Sequence, residues 1–395
     1  MNSFPTNSNN SFNEAKLHFE NGETKLQKKD FLGAIDDYTI ACDLYSDSAK
    51  AFCGRGTAKM GIGDHKSAIE DFNKSVELNP RSYNAFSGRA FAKYNLLDYA
   101  GAIEDCNIAL EFESFQTRDL EIRGICKFNL SDYVGALEDF NKAIGNSPNY
   151  AVAFYWRGMA LKKILDFESA VEAFSTAIEL NPNYGPSYFN RGNIYFEVKN
   201  YLMALADYNE LIRLKPNVPN YFYNRAKAND KLANYSKSLK DYDTAIELDE
   251  NFYRAYYSRG IAKEKVGDTS GAAADFDRVN QINPKYLNES IIREKLRMGD
   301  KTGALEYCNK AIKKDPKAAY LYVLKGNIKG DLGKFKGAVK CYSQAIVLNP
   351  DECSFYTLRG MVKRLTGDLK GAQMDFKEAD KLGSKVAIRL LSNGC

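Results

Sequence analysis

Seven arginines stand at 55, 89, 123, 157, 191, 225 and 259, each 34 residues from the next. A guanidinium is permanently charged and presents a planar fork of donors that fits a carboxylate or a phosphate. Such a ladder has two uses: gripping an anionic ligand, or fixing packed elements through paired acids. Aspartates recur sixteen residues downstream, pairing Arg55 with Asp71, Arg89 with Asp105, Arg123 with Asp139, Arg191 with Asp207, Arg225 with Asp241, Arg259 with Asp275 and, further on, Arg359 with Asp375. Residues suited to catalysis are sparse. His18 and His65 are the only histidines, and the eight cysteines form no Cys-x-x-Cys pair. There is no metal-ligand spacing, no G-x-x-x-x-G-K-[ST] loop and no strand leading into a glycine-rich turn. We therefore expect no catalytic residue, no metal, no cofactor and no independent enzymatic activity.

The elements that must position the ladder are themselves periodic. "IEDFNKSVELNP" (69–80), "LEDFNKAIGNSP" (137–148), "VEAFSTAIELNP" (171–182) and "LKDYDTAIELDE" (239–250) recur at a 34-residue step or its multiples. Eleven units start near Ala15, Ala49, Tyr83, Thr117, Ala151, Gly185, Pro219, Tyr253, Leu287, Ala319 and Cys353. Apolar spacing of three and four makes each unit two helices. In the eighth unit the first helix runs from about Tyr253 to Val266, Gly267 closes it, and Asp268 caps a second helix that runs to about Asn283, before Pro284.

This pattern resembles the tetratricopeptide repeat family over roughly residues 15–386. In the fifth unit the matching positions are Phe154, Gly158, Ala170, Phe174, Ala177 and Pro182; the family's leucine before the glycine is an arginine in most units. The resemblance implies an all-α solenoid of helical hairpins, a right-handed superhelix whose first helices line a concave groove. It further implies a scaffold or adaptor that binds peptide or protein segments there.

Hairpin geometry favours the structural use of the arginines. The midpoint of 259 and 275 is Gly267 at the turn, so Arg259 is expected to face Asp275 across the hairpin. Three units depart: Arg157 faces Ala173, Asn21 faces Asp37, and Lys325 faces Cys341. In the ninth unit both positions change, to Ile291 and Tyr307.

A neighbouring column along the first helices reads Phe19, Cys53, Ser87, Glu121, Tyr155, Phe189, Tyr223, Tyr257, Glu289, Val323, Thr357. Its four consecutive aromatics suit protein recognition, since rings offer contact area with few rotors to freeze. We take Tyr155, Met159, Phe189, Asn193, Phe196, Tyr223, Asn224, Lys227 and Tyr257 as the candidate peptide-binding groove; packing against adjacent repeats is the competing role. The two-carboxylate clamp known in this family needs Lys in the column with Asn four residues later, and no unit has Lys there.

Charge is uneven. Residues 287–395 carry a net +9, against −5 for the first 286. Lys329, Lys334, Lys336 and Lys340 crowd the tenth unit as a basic patch, either a solvated face or the mate of an acidic partner. The aromatic segment lies in the acidic-leaning part, which argues against RNA. Self-association through a terminal repeat is the alternative within the scaffold class.

The start, MNSFPTNSNNSFN, is polar, so no secretory signal is expected and residues 1–14 read as a disordered tail. No stretch is apolar enough to span a bilayer. Cys106 and Cys308 take core positions that are Phe or Tyr in other units, which suggests a reducing compartment and the cytoplasm. The ninth unit is two residues short and puts Ile292 at the small crossing position. We expect its helices to be pushed apart and an irregular junction near 285–300. The resulting division is 15–286, repeats 1–8; 287–386, repeats 9–11; and 387–395, a terminal cap carrying Ile388, Leu390 and Leu391.

Overall fold

The computed structural model describes residues 7–113 and 116–392. Among them every regular element is a helix. The chain divides into two compact units, Met1–Asn217 and Val218–Cys395. The first holds α1 (Asn7–Gln27), α2 (Phe31–Leu44), α3 (Ala49–Gly61), α4 (His65–Leu78), α5 (Tyr83–Asn95), α6 (Tyr99–Phe112), α7 (Thr117–Asn129), α8 (Tyr133–Asn146), α9 (Ala151–Lys163), α10 (Phe167–Leu180), α11 (Gly185–Glu197) and α12 (Tyr201–Leu214). The second holds α13 (Pro219–Lys231), α14 (Tyr235–Leu248), α15 (Tyr253–Lys265), α16 (Thr269–Ile282), α17 (Pro284–Arg297), α18 (Lys301–Lys314), α19 (Ala319–Asp331), α20 (Phe335–Leu348), α21 (Cys353–Leu365), α22 (Leu369–Lys381) and α23 (Lys385–Ser392). Odd and even helices pair as hairpins from α1/α2 to α21/α22, the expected all-α solenoid of stacked hairpins.

Local chemistry explains the hairpin. Asp98, Asp132 and Asp268, among others, cap the second helix by accepting a hydrogen bond from the backbone N–H three residues on, at 2.8–3.0 Å. At the turn the residue before this cap is left-handed, and Gly267 supplies it at φ 86°. Lys29, Leu97, Ser131, Leu165, Lys199 and Ala233 adopt the same conformation without being glycine, held there by the packed helices on either side. At the crossing, a Cβ on Gly260 would stand 2.8 Å from the Phe276 ring, so close approach demands glycine there. Apart from the first and ninth, every hairpin starts at its sequence-derived residue.

The exceptions have physical reasons. The tail expected over 1–14 is helical from Asn7, because Ala15 is buried and the Phe12 ring meets Tyr45 edge-on at 5.5 Å, giving α1 extra turns to pack; residues 1–6 lie outside the described residues. The short ninth repeat loses its link. Four residues join α14 to α15, whereas Asn283 alone joins α16 to α17, and Pro284 opens α17, where a missing N–H costs nothing. Ile292 is buried among Ala304, Cys308 and Ile328. At the other end, Leu390 and Leu391 of α23 pack on the Phe376 cluster around buried Ala387, while Ile388 is exposed; residues 393–395 lie outside the described set.

Candidate functional site

All seven anticipated ion pairs form, each as a two-bond fork. Arg55, Arg89, Arg123, Arg191, Arg225, Arg259 and Arg359 donate Nε and Nη2 to the two carboxylate oxygens of their aspartates at 2.6–3.0 Å. The aspartates are buried. In five of these repeats a lysine four residues after the arginine (Lys59, Lys93, Lys127, Lys263, Lys363) adds a second cation at 2.8–3.0 Å. Nη1 reaches back sixteen residues to the preceding hairpin, as in Arg89 to Asn73, Arg123 to Asn107, Arg191 to Ser175, Arg259 to Asp243 and Arg359 to Ser343. One guanidinium thus ties three helices. Burial works against the charge of Arg259, yet Asp275 and Asp243 hold its pKa well above the ordinary value. The donors of this ladder are spent inside the fold. Arg157, opposite Ala173, is half-buried and has no ion-pair or hydrogen-bond partner among the described residues.

The aromatic column is half-buried in the seams between hairpins. Tyr155 packs on Phe174, nineteen residues on, at 5.9 Å and on Tyr184, twenty-nine on, at 5.2 Å. Tyr223 repeats this with Tyr242 and Phe252 at 6.0 and 5.2 Å, and Tyr257 with Phe276 and Tyr286 at 5.7 and 5.6 Å. Burial raises the Tyr155 phenol to about 12.

The neighbouring candidates are similarly engaged. Met159 packs with Tyr155 on the cluster around Phe174, Asn193 accepts from the Tyr208 hydroxyl at 3.0 Å, and Phe196 meets Tyr201 at 5.4 Å. Lys227 lies 5.5 Å from the Tyr223 ring centroid, and desolvation lowers its pKa. Phe189 and Asn224 are half-buried. Five of the nine candidates belong to the first unit and four to the second.

The seam rule has gaps, and one gap is a recess. At Cys53 the residue twenty-nine on is Ser82, and at Ser87 the residues nineteen and twenty-nine on are Cys106 and Gln116. With Phe72, nineteen on from Cys53, the single ring among these partners, a cavity of about 710 Å³ opens along α1, α3 and α5 in the first unit. Phe19, Tyr38, Met60 and Phe91 give it apolar walls; Glu23, Lys50, Asn84 and Arg118 give it polar ones.

The supports beneath this recess are firm. Gly54 and Gly88 carry no side chain because a Cβ would strike the Tyr38 and Phe72 rings at 2.5 Å. Tyr83 and Ser87 donate to the two oxygens of fully buried Asp119 at 2.5 and 2.6 Å, locking α5 to α7. The Arg118 guanidinium lies over the Phe91 ring at 4.5 Å. Burial pushes the Cys53 thiol up to about 11, leaving it a small neutral wall residue. One repeat on, the column residue Glu121 accepts a hydrogen bond from Tyr150, its own partner twenty-nine on.

The recess was missed by looking for large residues. Its signal was in the column all the same: Cys53 and Ser87 are its small members beside glycines. Of the basic patch, Lys329 is half-buried, while Lys334, Lys336 and Lys340 are exposed in the second unit. His18 Nδ1 stands 2.8 Å from Asp37. Among the described residues no group of three His, Cys, Asp or Glu is placed to hold a metal, and no helix is long and apolar enough to cross a membrane.

Comparison with known proteins agrees with this architecture. Three models described as tetratricopeptide repeat match residues 151–184, 173–206, and 49–82, 219–252 and 319–352. A similar solved structure is the C-terminal part of a TPR repeat-containing protein from Cytophaga hutchinsonii, 18% identical, with TM-score 0.53, covering 59% of this chain and 96% of that one. A tetratricopeptide repeat protein from Parabacteroides merdae is 20% identical over 61% of this chain and 96% of that one, with TM-score 0.46. Yeast Tom70 is 19% identical over 95% of this chain and 93% of that one, with TM-score 0.40. No curated protein sequence matches the chain.

Proposed function

We propose that this chain, which belongs to the tetratricopeptide repeat family, is a non-catalytic scaffold that holds an extended peptide or a helix of another protein against its first helices. The observation that carries the reading is the recess over α1, α3 and α5. It is large enough for one or two bulky side chains, apolar at its walls and rimmed by Asn84, Lys50, Glu23 and Arg118. A pocket with a few convergent polar groups orients a ligand while apolar contact holds it. The amide of Asn84 suits a peptide backbone, and the Phe91–Arg118 stack offers a ring face and a charge side by side. Within the first unit the half-buried aromatics at 155 and 189 add ring edges to this surface, and the second unit offers its own at 223 and 257. Buried thiols fit a reducing compartment such as the cytoplasm.

The test is co-purification from source cells, read by mass spectrometry. Three proteins are compared: the native chain, Cys53→Tyr/Ser87→Phe, which plugs the recess, and Tyr155→Ala/Phe189→Ala/Tyr223→Ala/Tyr257→Ala. Folding is checked by circular dichroism. Loss of the same partners on plugging, followed by calorimetric titration of the partner segment, supports the reading. Unchanged partners in both variants end it.

A further inference from the structure

We propose that the tenth repeat carries an anion site, made by Lys325 and Lys329, that takes a carboxylate side chain from an acidic segment of a partner protein. The argument comes from the ladder. In five repeats the arginine, the lysine four residues on and the aspartate sixteen on form a closed triad, two cations on one buried carboxylate. Where the aspartate is lost in the fifth repeat, as Ala173, the lysine is lost with it, as Leu161. In the ninth, the arginine goes as Ile291 and Lys295 turns to Asp300 at 3.3 Å.

The tenth repeat alone keeps both cations and drops the acid. Cys341 stands at the aspartate position, 6% exposed. Lys325 and Lys329 are half-buried, and neither has a hydrogen bond or ion pair with a described residue. Lys329 lies over the first turn of α20, its Nζ 3.3 Å from where a Cβ on Gly337 would stand. The second acid of the hairpin is gone as well, since Lys334 replaces the capping aspartate of α20 and makes no cap bond. From Ala319 to Leu348 there are five lysines and one acid, Asp331.

Elsewhere the cations at these two positions share one buried carboxylate; here they keep no counter-ion among the described residues, and an incoming carboxylate supplies the missing charge-assisted hydrogen bonds. Exposed Lys336 and Lys340 on α20 steer an acidic segment toward it. This site lies in the second unit and stands apart from the recess.

The experiment is fluorescence anisotropy of a labelled hexaglutamate peptide with the full chain at low salt. Cys341→Asp supplies the missing carboxylate from within. It is expected to weaken peptide binding at least roughly tenfold while raising the melting temperature, so misfolding does not explain the loss. Lys325→Met/Lys329→Met gives the same weakening. Lys370→Met/Lys377→Met, an equal charge loss at exposed positions of α22, changes it by less than about twofold, the salt-screened share of a distant surface charge. Cys53→Tyr/Ser87→Phe leaves it unchanged, which separates this site from the recess. Native-strength binding by Cys341→Asp, an equal loss in the α22 control, no binding of hexaglutamate, or tighter binding of an RNA hexamer overturns the proposal.

Discussion

Arg259 and Asp275 meet in a two-bond fork, Nε to Oδ2 at 2.9 Å and Nη2 to Oδ1 at 2.6 Å, while Nη1 of the same arginine reaches Asp243 of the preceding hairpin at 2.6 Å. The carboxylate lies sixteen residues after the arginine and the second acceptor sixteen before it. A single side chain therefore sets the register within one hairpin and between two. Lys263 completes the triad at 3.0 Å.

Arg259→Met leaves Asp275 buried with Lys263 as its remaining cation. Breaking one partner from a buried pair costs about 3 kcal/mol. Arg157→Met removes a guanidinium with no partner among the described residues, and its effect is expected to stay within about 0.5 kcal/mol. Urea midpoints of the two variants measured side by side check this. Equal losses would mean that packing of the arginine stem, not the fork, supplies the stability.

Asp119 is held by hydroxyls, not by a cation. Tyr83→Phe strips one donor from a fully buried carboxylate and is expected to destabilise by about 1–3 kcal/mol. The double variant Tyr83→Phe/Asp119→Ala removes both partners, so its loss is expected to fall short of the sum of the two single losses. Thermal melts of the four proteins give the coupling, and additive losses contradict it.

Asp230 carries a pH signature. Burial raises its pKa above the usual 3.8, although the Tyr242 hydroxyl donates to Oδ2 at 2.6 Å; the buried Oδ1 has no hydrogen-bond partner. A carboxyl whose folded pKa is raised destabilises the fold at every pH above that value. The penalty fades as pH falls from the folded value toward 3.8 and is gone below it. Asp230→Asn is therefore expected to raise the melting temperature at pH 7, with a gain that shrinks toward pH 3.8. A gain that is constant with pH, or that grows in acid, refutes the assignment.

Gly54 lies beneath the Tyr38 ring at the floor of the recess. Gly54→Ala places a Cβ 2.5 Å from the ring's Cζ, and Tyr38 is 1% exposed, with little room to move. Overpacking of this kind costs about 1–3 kcal/mol. Gly63→Ala meets no neighbour and is strained only by its φ of 82°. A melt of Gly54→Ala alone decides whether the ring holds its place; no change in stability means that it yields.

Much of this protein is legible in its sequence because a repeat is a local object. Period, apolar spacing, capping aspartates and turn residues all act within 34 residues, so the hairpins and their boundaries follow from neighbours along the chain. The Arg–Asp forks follow too, since positions equidistant from a tight turn must lie side by side. The longer-range outcomes belong to the tertiary structure. Whether a column residue is surface or wedge depends on rings nineteen and twenty-nine residues away, so Tyr155 fills a seam and Ser87 leaves one open. The reach of Arg259 to Asp243 crosses hairpins and has no signature within its own repeat. The helical start at Asn7 is decided by Phe12 meeting Tyr45, which lies beyond the partner helix. Spacing along a chain specifies what each hairpin is; the packing of one hairpin on the next specifies where a partner finds room.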